Sequence, residues 1–140
     1  MKFYTDIQQS KKLVEIGVDI TTADMYYDVN NDEIKETPDN LLGTILDKDI
    51  PCWSLDALLK LLPHKFSNKE YVESVYDHIE CDLNIQYLEN GYCITYDYDY
   101  THEHGPAYIK DRKTLVSTHT KTELVDAAFE MITILNKIAC

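Results

Sequence analysis

Four side chains in the middle of the sequence have the types and the spacing of metal ligands. Asp97 and Asp99 are followed by His102 and His104, so that two carboxylates and two imidazoles occur close together along the chain. Carboxylate oxygens combined with imidazole nitrogens form a mixed ligand set that suits Zn²⁺, Mn²⁺ or Fe²⁺. The favoured interpretation is a solvated acidic surface, because salt screens exposed carboxylates at little cost. The alternative is a metal site formed by these four side chains, in a metal-binding protein or a metal-dependent enzyme.

Other catalytic arrangements are missing from the sequence. Ser54 lies between Trp53 and Leu55, without the glycines that a nucleophile elbow requires. Only four glycines occur, none of them grouped, so that no glycine-rich loop can cradle a phosphate group. The cysteines stand singly at positions 52, 81, 93 and 140, which indicates reduced thiols. We therefore predict no cofactor and favour a protein that is not an enzyme.

The charge of the chain is strongly negative, since 25 Asp and Glu against 13 Lys and Arg give −12 in 140 residues. Residues 21–50 hold 8 acidic and 2 basic side chains, and residues 67–104 hold 9 and 1. Direct binding to nucleic acid is not expected, because phosphate contacts need clustered Lys and Arg. Binding to a membrane is disfavoured for the same reason, and no apolar run reaches the roughly 18 to 20 residues that span a bilayer.

The charge favours a small acidic accessory or adaptor protein that binds a protein partner with a basic surface. The residues predicted to make this contact are Asp82, Asp97, Asp99, Glu103 and Trp53. For Trp53 the alternative is a packing anchor ahead of a leucine-rich helix. The first residues turn polar at once and lack a secretory signal, so we expect a cytoplasmic protein. The sequence predicts no particular oligomeric state.

A β-hairpin over about residues 81–99 positions most of these acidic side chains. Apolar residues take the odd positions before a turn near Asn90 and the even positions after it. Directly opposed residues share a face, so a loop without a bulge must hold an even number of residues, either 90–91 or 88–91. Either register places Asp82 opposite Asp97 or Asp99, and like charges opposed in a sheet repel.

Two helices are predicted in the first half of the chain. Thr5 with Gln8 has the form of a capping box, so that a first helix covers about residues 6–16 and ends at Gly17. Ser54 caps a second, leucine-rich helix, which ends at the following proline because proline removes a backbone donor.

A third helix, over about residues 121–138, follows from Thr120 with Glu123 at its start and from one apolar stripe. The remaining predictions are a strand at 24–29, an irregular acidic segment at 31–50, a helix or a strand at 67–80, and a strand near 107–109. Together these elements predict a single α+β domain, in which helices pack on one face of an antiparallel sheet.

A row of tyrosines is predicted on the sheet face toward the C-terminal helix. The row consists of Tyr92, Tyr96, Tyr98 and Tyr100, with Tyr87 opposite. We expect this row to form core, with the hydroxyl groups reaching water at its margin. The alternative is an exposed recognition surface for a partner or a small ligand.

Three stretches of the sequence combine in a recognisable way: Ile50-Pro51-Cys52-Trp53-Ser54-Leu55, Asn90-Gly91-Tyr92 and Glu123-Leu124-Val125-Asp126-Ala127. In this combination the chain resembles a family of small uncharacterised proteins from gut bacteria and their phages or other mobile elements. The resemblance covers roughly residues 50–140 and implies a capped helix, a hairpin and a C-terminal helix. Its motifs are structural, and the family supplies no catalytic residues to carry over.

Overall fold

The computed structural model describes residues 1–29, 32–36, 49–67, 80–105 and 107–139. Within these residues the chain forms three α-helices and seven strands, which confirms the predicted α+β fold class. The helices are α1 (Ile7–Glu15), α2 (Leu55–Leu61) and α3 (Leu124–Ala139). The strands are β1 (Met25–Asp28), β2 (Glu33–Glu36), β3 (Ile50–Cys52), β4 (Lys65–Ser67), β5 (Glu80–Leu88), β6 (Gly91–His104) and β7 (Ala107–Ser117).

The described strands form two antiparallel sheets. The smaller sheet has the order β2-β1-β3, and the larger sheet has the order β4-β5-β6-β7. The predicted hairpin is β5 with β6, and it occupies the centre of the larger sheet. Most of the acidic residues singled out in the sequence therefore lie on strands that have a neighbour on each side.

The hairpin has the register in which Tyr87 faces Tyr92 and Leu88 faces Gly91. This is the pairing that the sequence predicts for the 88–91 loop. Gly91 has φ +139°, and a Cβ atom there would overlap the carbonyl oxygen of Lys121. The absence of that atom lets Tyr92 and Lys121 exchange backbone hydrogen bonds of 2.6 and 2.8 Å, which tie the start of β6 to the segment before α3.

Alternation along β6 gives the larger sheet an inner face, which packs against α3. Ile94 and Tyr96 are fully buried on this face, together with Val125 and Met131 of the helix. The Tyr96 hydroxyl donates to the carbonyl oxygen of Pro63 at 2.7 Å, so its polar group is satisfied inside the core.

The tyrosine row belongs mainly to this core, as expected. Tyr92 and Tyr98 are partly buried against it, while the side chain of Tyr100 lies outside the description. Tyr87 is the exception, because it is 79% exposed and its ring lies 5.2 Å from that of Tyr92. The turn end of the hairpin is therefore open to solvent on its inner face.

Helix α1 is capped one residue later than predicted. Asp6 accepts the backbone N–H of Gln9 at 2.8 Å, and the Gln9 side chain accepts the N–H of Asp6 at 3.1 Å, which completes a capping box. Thr5 cannot take this role, because its buried hydroxyl lies 2.8 Å from Ser10 Oγ and accepts the N–H of Trp53.

The capping predictions for the other two helices have opposite outcomes. Ser54 caps α2 by accepting a backbone N–H of the first turn, as predicted. Thr120 does not cap α3, because the next residue, Lys121, is engaged in the bridge to Tyr92, and the helix begins only at Leu124.

The strand predictions are confirmed at β1 and β7, although β7 is longer than expected. The prediction of an irregular segment at 31–50 is wrong at both ends, where β2 and Ile50 pair with β1. A 2.9 Å ion pair between Lys35 and Asp28 supports the pairing of β2. The central part, 37–48, and most of the helix-or-strand prediction at 67–80 fall outside the described residues.

Replacement of Asp6 by Ala is expected to lower the free energy of unfolding by about 1 kcal/mol, because the first turn of α1 loses its side-chain acceptor. Urea unfolding followed by circular dichroism measures the change. Gln8→Ala is the control, since Gln8 has no part in the observed capping box. A loss in Gln8→Ala that equals the loss in Asp6→Ala would contradict the assignment of the cap.

Candidate interaction surface

The face of the larger sheet that points away from α3 is polar, and we call it the outer face. Its charged members among the described side chains are Glu80, Asp82, Asp97 and Asp99, with the bases Lys65 and Arg112. The buried apolar cluster that includes α2 and α3 lies on the inner face. Among these described side chains acids outnumber bases, which repeats locally the acidic character of the whole chain.

Asp97 lies at the centre of the outer face and is only 4% exposed. Its Oδ1 accepts a hydrogen bond from Thr114 Oγ1 at 2.7 Å. Its Oδ2 accepts from Asn84 Nδ2 and Thr95 Oγ1, both at 3.1 Å. A buried carboxylate without donors would be strongly destabilising. Because these donors come from β5, β6 and β7, Asp97 joins the three strands through one side chain.

Arg112 supplies positive charge to the acidic row. Its Nη1 donates to Asp99 Oδ1 at 3.2 Å, and its Nε lies 3.8 Å from Asp97 Oδ2. Asp82 is directly opposite Asp97, as one of the two predicted registers requires, and Lys65 faces Asp82 from β4. The Lys65 ammonium group itself pairs with Glu80, its Nζ lying 3.4 Å from Glu80 Oε1. Arg112 is therefore the base that offsets repulsion between the opposed aspartates.

A bulge in β7 determines which residues meet the two aspartates. The register passes from Tyr96 opposite Val116 to Asp97 opposite Thr114, so that Leu115 is the extra residue. Without the bulge, Leu115 would stand opposite Asp97. Thr114 and Arg112 belong to none of the predicted sites, and the one signal for them in the sequence is the basic stretch 110–113 that follows the acidic strand.

The predicted metal ligands are described only in part. The side chains of His102 and His104, like that of the predicted contact residue Glu103, lie outside the description. Alternate residues of a strand face opposite sides of the sheet. Positions 97 and 99 are odd and positions 102 and 104 are even, so along the continuous strand β6 the two pairs of positions belong to opposite faces. No group of three or more potential ligands occurs among the described residues. The metal site stays a prediction.

Trp53 does not belong to a contact surface of the folded chain. It is fully buried, and its Nε1 donates to Thr22 Oγ1 at 2.9 Å, which agrees with the alternative of a packing anchor. Asp97 is likewise buried and engaged internally. Of the predicted contact acids whose side chains are described, the accessible ones are Asp82 and Asp99, and the side chain of Asp99 is 45% exposed.

A second group of charged side chains lines a cleft of about 390 Å³ between the N-terminal segment and α3. Lys2 Nζ donates to Asp126 Oδ1 at 2.8 Å. Glu130 Oε1 lies 2.6 Å from His119 Nδ1, and Glu130 Oε2 lies 3.6 Å from Lys121 Nζ. Burial alone would raise the pKa of the Glu130 carboxyl, but the His119 hydrogen bonds and the charge of Lys121 outweigh it and hold that pKa below its ordinary value.

Comparison with known proteins assigns no relative, because no protein-family model, curated protein or solved structure matches this chain. The resemblance to the gut-bacterial and phage family therefore stays a prediction. In the described ranges, no helix is long and apolar enough to cross a membrane.

Thr114→Val is expected to lower the free energy of unfolding by about 1 to 2 kcal/mol, because the buried Asp97 carboxylate loses its shortest hydrogen bond. Chemical denaturation measures the loss. Thr120→Val is the control, since it removes an exposed threonine hydroxyl outside the sheet. If both variants are as stable as the parent chain, the Thr114–Asp97 contact does not stabilise the outer face.

Glu130→Gln is expected to destabilise the chain at neutral pH and to have progressively less effect as the solution becomes acidic. The pKa of Glu130 is lowered on folding, so its carboxylate stabilises the fold above the pKa of an unfolded glutamate. That contribution is lost as the pH falls through the folded pKa. Urea unfolding at a series of pH values measures it, with the exposed Glu15→Gln as control. A difference that is the same at every pH would contradict the assignment.

Proposed function

We propose that the protein is a small acidic accessory or adaptor protein, which binds a protein partner with a basic surface through the outer face. The observation that carries this proposal is the polar outer face itself. There the accessible Asp82 and Asp99 flank the internally bonded Asp97. The proposal assigns recognition, and no catalytic step, to these side chains.

The fixed positions of the acids support this function. Asp99 is held by Arg112 on the neighbouring strand, and Asp97 is held by donors from three strands. A surface that is already ordered loses little conformational entropy on binding. A partner with basic side chains would therefore bind carboxylates that already have fixed positions.

The charge of the chain supports a basic partner. The net charge of −12 attracts a positively charged protein over a distance of about one Debye length, roughly 8 to 10 Å at physiological salt. Complementary charge mainly raises the association rate and suppresses wrong partners. Binding through the outer face is therefore expected to weaken when salt is added.

Combined Asp82→Asn and Asp99→Asn substitutions are expected to abolish capture of the partner. The experiment passes lysate of the native host over the tagged chain at low salt and compares the retained proteins by mass spectrometry. Capture should be lost because the double variant removes two accessible negative charges from the outer face, while the buried Asp97 is unchanged.

The matched control is Glu15→Gln with Asp56→Asn, which removes the same charge from exposed positions on α1 and α2. We expect this variant to retain the partner. Equal loss of binding in both double variants would indicate general attraction to an acidic chain and contradict a localised surface. A partner retained by both variants, or retained unchanged at high salt, would also contradict the proposal.

A further inference from the structure

The second half of β5 has an open edge among the residues that the structure describes. β4 pairs with residues 80–82 of β5, and beyond them the Leu83 N–H donates to the carbonyl oxygen of His64 at 3.0 Å. Alternate residues of a strand direct their N–H and C=O groups to the same edge. Ile85 and Tyr87 therefore direct their backbone groups to the side of β4, beyond the point where β4 ends.

This edge lacks the features that protect the edges of natural sheets. Residues 84–88 (Asn-Ile-Gln-Tyr-Leu) contain no charge and no proline, and they pair with β6 without a bulge. Ile85 is 41% exposed and Tyr87 is 79% exposed. Four outward backbone groups and two accessible apolar side chains thus lie at the same place.

The surroundings of the edge restrict what can bind there. Because β4 occupies the edge as far as Leu83, an added strand can pair only with the few residues between Leu83 and the turn. A second copy of the chain fits poorly, since its own β4 blocks the same edge and both copies carry a charge of −12. That charge attracts a basic protein instead. The occupant that fits is a short extended segment of such a protein.

We propose that the open edge of β5 binds a short extended segment of the basic partner, in line with β4 and antiparallel to β5. This inference rests on the proposed function, because it names the part of the basic partner that is bound. Two residues of the segment, two positions apart, lie opposite Tyr87 and Ile85. They exchange four backbone hydrogen bonds with these residues, which is the binding mode of strand addition.

The register determines which side chains the segment carries. Directly opposed residues share a face, so the two residues opposite Tyr87 and Ile85 lie beside these exposed apolar side chains and should be apolar. In an antiparallel segment, the residue two positions earlier lies near Glu89, which is exposed at the turn. A Lys there pairs with Glu89 and brings its ammonium group near the Tyr87 ring, whose face attracts cations. The segment therefore has a basic first residue and apolar third and fifth residues.

Amide hydrogen exchange of the free chain, followed by NMR, tests whether the edge is open. We expect the Ile85 and Tyr87 N–H groups to exchange almost as fast as unstructured amides. The N–H groups of Asn84 and Gln86 are the internal control, because they point to β6 and should exchange orders of magnitude more slowly. Equal protection of all four groups would show that the edge is already covered, by the chain itself or by a second copy, and would overturn the proposal.

The probe for binding is the peptide acetyl-Lys-Thr-Val-Thr-Val-amide, added up to millimolar concentration. We expect the Ile85 and Tyr87 N–H groups to become protected and the largest chemical-shift changes to fall within residues 84–89. In the control peptide, proline replaces the first valine and removes the backbone donor opposite Tyr87, so this peptide should not bind. No binding of the valine peptide, or equal binding of both peptides, overturns the proposal.

A charge swap tests the register. Glu89→Lys should weaken binding of the probe by about two- to fivefold, the range of an exposed ion pair, and should strengthen binding of the same peptide with Glu in place of Lys. Glu15→Lys is the control, because it makes the same change of charge at an exposed residue of α1. An equal response of Glu89→Lys and Glu15→Lys would show general attraction to an acidic chain and overturn the register.

Tyr87→Lys distinguishes failure of this inference from failure of the proposed function. In host lysate Tyr87→Lys should lose the partner, whereas Val14→Lys, which adds the same charge at an exposed apolar residue of α1, should retain it. Capture that depends on Asp82 and Asp99 but not on Tyr87 overturns this inference and leaves the proposed function intact. Capture that depends on Tyr87 but not on Asp82 and Asp99 supports the edge and contradicts the outer face.

Discussion

Strand β6 presents its side chains alternately to two environments, and the rest of the domain depends on this alternation. Ile94 and Tyr96 need the apolar surface of α3, and they are fully buried there. Their sequence neighbours Thr95 and Asp97 must then lie on the outer face. A shift of one residue would turn the carboxylate toward the helix and the tyrosine toward water, so the core and the polar surface are specified by the same strand.

The outer face shows how an acidic sheet remains stable. Asp97 is removed from water, but it accepts hydrogen bonds from its own strand and from both neighbouring strands, and the Arg112 side chain lies between it and Asp99. The carboxylates of Asp97 and Asp99, which would otherwise repel each other, are thereby held in fixed positions. The same contacts that stabilise the sheet also fix Asp99, one of the accessible acids to which the proposed function assigns partner binding.

The sequence predicts those features that a short stretch of chain determines. The apolar residues change from odd to even positions across the turn of the hairpin, so its loop must hold an even number of residues. That restriction on the register places Asp82 opposite either Asp97 or Asp99. The cap of α1 is mispredicted by one position because Thr5 with Gln8 and Asp6 with Gln9 both fit the local pattern.

Tertiary contacts decide what the local pattern leaves open. The contacts of Thr5 with Ser10 and Trp53 exclude it as a cap. The meeting of Arg112 with Asp99 depends on the bulge at Leu115, which is a property of two paired strands.

The most direct test of the outer face as the contact surface is photo-crosslinking in host lysate, with a benzophenone side chain at position 82 or 99, or at control position 15 or 56. We expect the partner to be cross-linked from positions 82 and 99 only; cross-links from 15 or 56 alone would contradict the assignment.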